Sequence, residues 1–386
     1  MITTTETTPA EWTDWHWQQR SAIRSLEQLR EVFPRLSADA VRALQMTART
    51  RRFQLTPYFL SLVGRTPDGE APVADDPMWR QVLPVWAETA AAYDYDGVTE
   101  NWEMPSEMVT PIAQHKYPDR VIVRLANVCF AYCQFCYEAL RTLEKETTKA
   151  SFQHEHWAAT VEYVRGNSDI FEVILSGGEP LMHTDALLDR VLSDLRGIER
   201  PLAIRIHTRA LTFNPFRVTD ELVEMLRRHR VNAIGLHVTH PAELTPSFEE
   251  AVGRLRRAAP VLFANMPLLR GINDDVATIE RATRKLYLLG VARGYLYHFM
   301  PNSPGGEGYR TSVQLGVDIV RSMKRRVCNL AVPEFVLPHT TGKHTMPLLA
   351  PGEAPPAPAR DAAGHPVVRY TNWLGGVVDY PDAAGA

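Results

Sequence analysis

Six short runs rich in β-branched, aliphatic and aromatic residues recur through the middle of the chain. They are Val121-Ile-Val-Arg-Leu125, Glu172-Val-Ile-Leu175, Leu202-Ala-Ile-Arg-Ile206, Ala233-Ile-Gly-Leu-His-Val238, Val261-Leu-Phe-Ala264 and Tyr295-Leu-Tyr-His-Phe299. Each has the length of a strand, and amphipathic stretches fill most of the gaps. Asp185–Leu195 is one, with Leu187, Leu188, Val191, Leu192 and Leu195 on one face; 219–229 and 277–289 are others. Strands that return about every thirty residues with a helix between them read as repeated βαβ units and a parallel sheet, because parallel neighbours need a long crossover. Six such units predict an α/β chain built on a partial (β/α)6 barrel rather than a closed eight-fold one. Reactive groups in parallel barrels gather at the C-terminal ends of the strands. Chemistry is therefore expected in the loops that follow the runs.

The loop after the first run carries Cys129, Cys133 and Cys136. Three thiolates can hold three irons of a four-iron, four-sulfur cluster and leave the fourth open to a small molecule. A structural zinc site would ask for four ligands, and a disulfide framework for an even, dense set in a short secreted chain. The remaining cysteine, Cys328, is far away in a predicted helix. After the second run comes Leu175-Ser176-Gly177-Gly178-Glu179-Pro180. Two glycines let a ligand approach the backbone closely, and Glu179 can pair with an ammonium group. One barrel unit apart, the two loops describe a radical S-adenosylmethionine site, with Gly177, Gly178 and Glu179 holding the amino group of the methionine part and Ser176 beside them. A third feature, Thr341-Gly342-Lys343-His344, follows a buried-looking strand Phe335-Val-Leu. A lysine in a glycine turn at a barrel mouth can form a Schiff base with pyridoxal phosphate. On pattern alone a solvated surface lysine is the commoner outcome.

The flanks divide from this barrel by composition. Residues 1–104 read as a helical N-terminal extension, opened by Trp12, Trp15 and Trp17 and followed by Ile23, Leu26, Leu29 and Val32 at helical spacing. Residues 105–338 form the barrel. Residues 339–386 form a C-terminal segment with a proline-rich linker from Pro351 and strand character from Val367. The formal net charge of −3 over 386 residues gives no footprint for nucleic acid or an anionic membrane. The opening residues show no signal-peptide pattern, no apolar run approaches the roughly 20 residues of a membrane helix, and cysteines are few. A cytoplasmic protein is expected.

Over nearly its whole length the chain resembles the lysine 2,3-aminomutase family. The resemblance rests on Trp12-Thr-Asp-Trp15-His-Trp17-Gln, Leu55-Thr-Pro-Tyr58-Phe-Leu-Ser-Leu, Tyr117-Pro118-Asp119-Arg120-Val, the cysteine loop, Leu175-Ser-Gly-Gly, Leu268-Leu-Arg270-Gly-Ile-Asn273-Asp274 and Gly342-Lys343. It implies a radical SAM partial barrel with three cofactors: a [4Fe-4S] cluster, S-adenosyl-L-methionine and pyridoxal 5'-phosphate. Lys343 becomes the lysine that carries pyridoxal phosphate, and Arg120 a partner for its phosphate. Tyr117, Tyr295 and Tyr297 either line the same cavity or pack as aromatic core. An electron donor such as flavodoxin or ferredoxin and a homo-oligomer are also implied.

Departures from the family concern the substrate. Lysine-acting members place an arginine two residues beyond the third cysteine to bind the substrate carboxylate. Glu138 stands there, and the nearby basic residue is Arg141. Two aspartates that hold the distant ammonium are matched by Met300 and, with a one-residue gap, Pro338. His298 and Asn302 could hydrogen-bond a neutral or anionic side chain instead. The cysteines that bind zinc near the family's C-terminus are missing. The resemblance thus implies a 2,3-aminomutase acting on an amino acid or derivative other than free lysine. Dehydrogenation, epimerisation or another rearrangement of an amine stays open, as does a non-catalytic iron–sulfur relative.

Overall fold

The computed structural model describes residues 9–48, 51–83, 103–143, 145–147, 149–300, 306–372 and 374–383. Ten strands run in chain order across one sheet: β1 (Met108–Thr110), β2 (Ala113–Tyr117), β3 (Arg120–Ala126), β4 (Glu172–Gly177), β5 (Ala203–Thr208), β6 (Ala233–His237), β7 (Val261–Leu268), β8 (Ala292–His298), β9 (Glu334–His339) and β10 (Gly342–Thr345). From β3 to β9 every neighbour is parallel. β1, β2 and β10 add antiparallel flanks. All six expected strands are present with ends shifted by a few residues, and β9 is a seventh parallel strand. The ladder does not close on itself, so the architecture is a partial barrel. Its two margins nevertheless approach: the Tyr117 hydroxyl on β2 accepts from the Lys343 amide on β10 at 3.1 Å.

The helices between strands start where the sequence supplies a cap. Thr184, Thr219, Thr245, Asp275 and Ser312 each accept a backbone N–H at the start of the helices Asp185–Arg196, Asp220–Arg228, Pro246–Ala258, Val276–Leu288 and Val313–Arg326. Such caps satisfy amide groups that a helix end leaves orphaned. Leu188, Val191, Leu192 and Leu195 of the first of these are buried as the amphipathic spacing predicts. Outward-facing Val121, Val123 and Leu125 of β3 join the same apolar cluster. That cluster also takes in Leu29, Phe33, Leu55, Phe59 and Trp79, so the described helices of the N-terminal region share one core with the barrel.

Two expectations about the C-terminal part need correcting. Cys328 lies beyond the helix ending at Arg326 and is exposed. The proline-rich stretch is not wholly a linker, since Ala357–Arg360 forms the outer strand β11 of a small antiparallel sheet with β12 (Pro366–Thr371) and β13 (Val377–Pro381). An edge strand tolerates Pro358 because its missing N–H has a solvent side to face. Among the described residues no helix is long and apolar enough to cross a membrane.

Candidate active site

A cavity of about 360 Å³ lies inside the barrel. Alternation along the strands decides what lines it, because successive side chains point to opposite faces. Arg120, Ile122 and Arg124 of β3, Ile174 and Ser176 of β4, Arg205 and His207 of β5, and Tyr295 and Tyr297 of β8 all point inward. The interior thus sets a row of charged and polar side chains among aliphatic and aromatic ones, where the outward face of β3 is aliphatic.

Cys129, Cys133 and Cys136 all line this cavity. Gly177 and Gly178 hold their loop in place. Gly177 has φ +111°, and a Cβ there would stand 2.8 Å from the Ala126 carbonyl. At Gly178 a Cβ would meet the Val128 carbonyl at 2.4 Å. The Gly178 and Glu179 amides instead donate to Ala126 and Val128 at 2.6 and 2.8 Å. The glycines therefore admit the cysteine loop as well as facing the cavity. Glu179 is buried, and its carboxylate accepts from the Thr208 hydroxyl at 2.7 Å and from the Arg209 and Leu181 amides at 2.8 and 3.1 Å.

Burial pushes all three thiols up, Cys136 to about 12, and mutual repulsion adds to the rise at Cys129 and Cys136. Thiols crowded this way need a positive centre to become thiolates, and a coordinating metal deprotonates them outright. Among the described residues no three His, Cys, Asp or Glu converge on a single-ion site. A cube of four irons asks for thiolates spread around it instead. Arg209 donates to the Cys133 sulfur at 2.7 Å and is tied to Thr239 at 3.0 Å, to Glu243 at 3.2 Å, and to Gln81.

Lys343 enters the other part of the cavity from β10. Its residue keeps exposed surface at the rim, while its amine is ringed by Tyr295, Tyr297 and Tyr117 at 5.3, 5.7 and 5.9 Å from the ring centres. Burial first, then the charges of Arg120 and Arg205, bring its pKa down from 10.5 to about 8. That favours the neutral, nucleophilic amine. Arg120 stacks on Tyr117 at 4.2 Å and pairs with Asp119 at 2.8 Å. Buried nitrogens of Arg205 and His207 have no hydrogen-bond partner. An orphaned guanidinium N–H of Arg205 beside a reactive amine suits an anionic ligand with acceptor oxygens.

The substrate-side expectations divide. Met300, Pro338 and His298 do line the cavity. His298 is not free to hold a substrate through Nε2, which faces the Thr311 carbonyl at 3.0 Å. Asn302 lies outside the described residues. Glu138 and Arg141 do not line the cavity: they belong to a buried network behind it. Arg141 donates to Glu103 at 2.7 and 2.9 Å and to Asn127 at 3.2 Å, and it also meets the Ala150 carbonyl. Its guanidinium is used up by these partners, which removes it as a carboxylate holder. Glu138 accepts from Arg124 at 2.8 Å.

Sequence reasoning passed over Arg124, Arg205, Arg209, His207 and His237. The signal was present for most of them. In Ala203-Ile-Arg205-Ile-His207, polar residues alternate with buried aliphatic ones, and on β3 the outward Val121 and Val123 alternate with Arg120, Ile122 and Arg124.

The Radical SAM superfamily model matches residues 123–282. The chain is 31% identical over 342 residues to the L-lysine 2,3-aminomutase of Clostridium subterminale, spanning 88% of this chain and 79% of that one. It is 30% identical over 344 residues to the L-lysine 2,3-aminomutase of Fusobacterium nucleatum, spanning 89% and 77%. With the glutamate 2,3-aminomutase of Clostridioides difficile it shares 26% identity over 343 residues, spanning 89% and 78%. The chain belongs to the lysine 2,3-aminomutase family of radical SAM enzymes, an isomerase family whose membership implies a four-iron, four-sulfur cluster, S-adenosylmethionine and pyridoxal phosphate.

Proposed function

We propose that the chain is a pyridoxal phosphate-dependent radical SAM 2,3-aminomutase. It moves the α-amino group of an amino acid, or a derivative of one, other than free lysine to the β-carbon. One observation carries this: the three cysteines, the Gly177-Gly178-Glu179 turn and Lys343 line a single cavity. In this reading Cys129, Cys133 and Cys136 hold the cluster, and Ser176 to Glu179 hold S-adenosylmethionine. Lys343, Arg120, Tyr117 and Tyr297 hold pyridoxal phosphate. When bound, the cluster and S-adenosylmethionine supply hydrogen-abstracting radical chemistry, and pyridoxal phosphate supplies a conjugated ring that spreads an unpaired electron.

The residues do the rest by placement. Glu179, fixed by its three donors, presents a carboxylate of set orientation to an ammonium group. The three tyrosines surround the Lys343 amine with aromatic faces. At neutral pH part of the Lys343 population is unprotonated, so it can accept and return a proton at Nζ. Capture of pyridoxal phosphate by the cofactor-free protein should therefore speed up as pH rises, with a midpoint near 8 rather than 10.5. Stopped-flow absorbance reads this directly, and a midpoint near 10 would assign capture to an ordinary surface lysine.

The cavity's charge speaks against free lysine. Among the described residues lining it, Lys116, Arg120, Arg124, Arg205, Arg209 and Lys343 are basic, and Glu179 is the one acid. A substrate ammonium near Met300 and Pro338 would meet no carboxylate among the described residues lining the cavity. Leaving a buried charge unpaired costs about 3–5 kcal/mol, and each 1.4 kcal/mol is about tenfold. L-Lysine should then turn over at least about a hundredfold less efficiently than the preferred substrate. Anaerobic competition kinetics with a panel of amino acids, reading 5'-deoxyadenosine and rearranged amine together, tests both points. Efficient conversion of L-lysine would overturn the substrate reading. A panel that releases no deoxyadenosine at all would favour the non-catalytic alternative.

A further inference from the structure

Resting on the aminomutase reading, we infer that Arg124 is the residue that recognises the substrate's α-carboxylate. Arg124 sits on the inward face of β3, paired in register with Ser176 of β4, and it lines the cavity. It is 2% exposed. Its Nε donates to Glu138 at 2.8 Å and meets Glu103 at 3.0 Å, and its Nη2 donates to Gln114 at 2.8 Å. Nη1 is buried and has no hydrogen-bond partner. A buried charged donor without an acceptor is costly, so two hydrogen bonds, the Glu103 contact at the same Nε and one orphan nitrogen describe a guanidinium clamped in place with one donor position unused. A carboxylate is the natural acceptor, since charge-assisted N–H to carboxylate bonds are among the strongest available.

Position narrows the choice. The carboxylate of an α-amino acid is bonded to the carbon that loses its amine, so its anchor belongs near the cysteine loop, where the hydrogen-abstracting chemistry arises. Glu138, which holds Arg124, is two residues past Cys136. Arg120 and Arg205 lie close enough to Lys343 to depress its amine and so serve the other part of the cavity. Lys116 is paired with Glu107 at 2.5 Å. Arg209 also keeps an orphan Nε, but its terminal nitrogens are spent on Cys133, Gln81, Thr239 and Glu243. Glu138 thus acts as a positioning residue, holding the arginine that meets the substrate.

S-Adenosylmethionine carries an α-carboxylate too, and the test separates the two sources. Protein loaded with cluster, S-adenosylmethionine and pyridoxal phosphate is titrated with the twenty L-amino acids and their α-carboxamides, following the pyridoxal absorbance. The best-bound free acid should bind about a hundredfold tighter than its amide, which is about 2.8 kcal/mol. In Arg124→Gln that preference should shrink to about threefold or less, with S-adenosylmethionine affinity by equilibrium dialysis unchanged. The double variant Arg124→Gln/Glu138→Gln, which leaves no unpaired Glu138 carboxylate, should show the same loss if Arg124→Gln alone folds poorly. Equal binding of acid and amide by the wild type, no binding of any free acid, or a preference that survives both variants would overturn the assignment. A loss of S-adenosylmethionine affinity with the acid preference intact would give the arginine to the cosubstrate instead. Pyridoxal loading and deoxyadenosine release, read on the same samples, report separately on the aminomutase reading.

Discussion

Cys133→Ala is expected to abolish the iron–sulfur absorbance and all detectable cleavage of S-adenosylmethionine. With Cys129 and Cys136 alone, two irons would have protein thiolates where three are needed to leave a single open corner. The substitution removes one sulfur atom from a half-buried side chain, so the barrel should survive it. The cofactor-free variant should melt within a few degrees of the wild type, which distinguishes loss of a ligand from loss of the fold. Cys328 is the internal control. It is exposed and past the end of its helix, so Cys328→Ala should keep both the absorbance and the cleavage. Equal damage from the two substitutions would refute the ligand assignment.

The second large effect is expected at Lys343. Borohydride treatment of the pyridoxal-loaded protein should fix the cofactor on the peptide containing Lys343. Lys343→Ala should leave nothing to fix, although Arg120 can still hold the phosphate. Turnover should fall on the order of 10²–10⁴-fold, the contribution of a positioned proton-transferring side chain. Lys116 is the one other lysine lining this cavity among the described residues, and its amine is engaged by Glu107 and by the Thr340 carbonyl. A label on Lys116 in the wild type would overturn the carry-over from the family.

The fold was largely legible because local signals agreed with one another. Apolar runs, amphipathic spacers and Ser, Thr or Asp caps all marked the same boundaries. The seventh parallel strand was harder to recognise as such: Glu334-Phe-Val-Leu-Pro-His holds a proline and is followed at once by its antiparallel partner β10. The inward row of arginines and histidines was visible as alternation. It was passed over because alternation usually signals a sheet with a wet outer face, whereas this barrel turns its charged row inside, among aliphatic and aromatic side chains. The pairing of Arg124 with Glu138 could not be read from residues fourteen apart, since it depends on how the cysteine loop folds back over β3. The same chain reversal brings Glu103, from the end of the N-terminal region, onto Arg141 and removes that arginine from the list of substrate ligands.

The position of the nitrogen in the product decides whether this enzyme moves an amine. The loaded protein is incubated anaerobically with a reductant and a panel of amino acids labelled with nitrogen-15 at the α-amine, and the products are read by NMR. The label should appear on the β-carbon of a product whose carbon skeleton and oxidation state match the substrate. A product that keeps the label on the α-carbon, whether inverted or oxidised, would contradict the aminomutase reading.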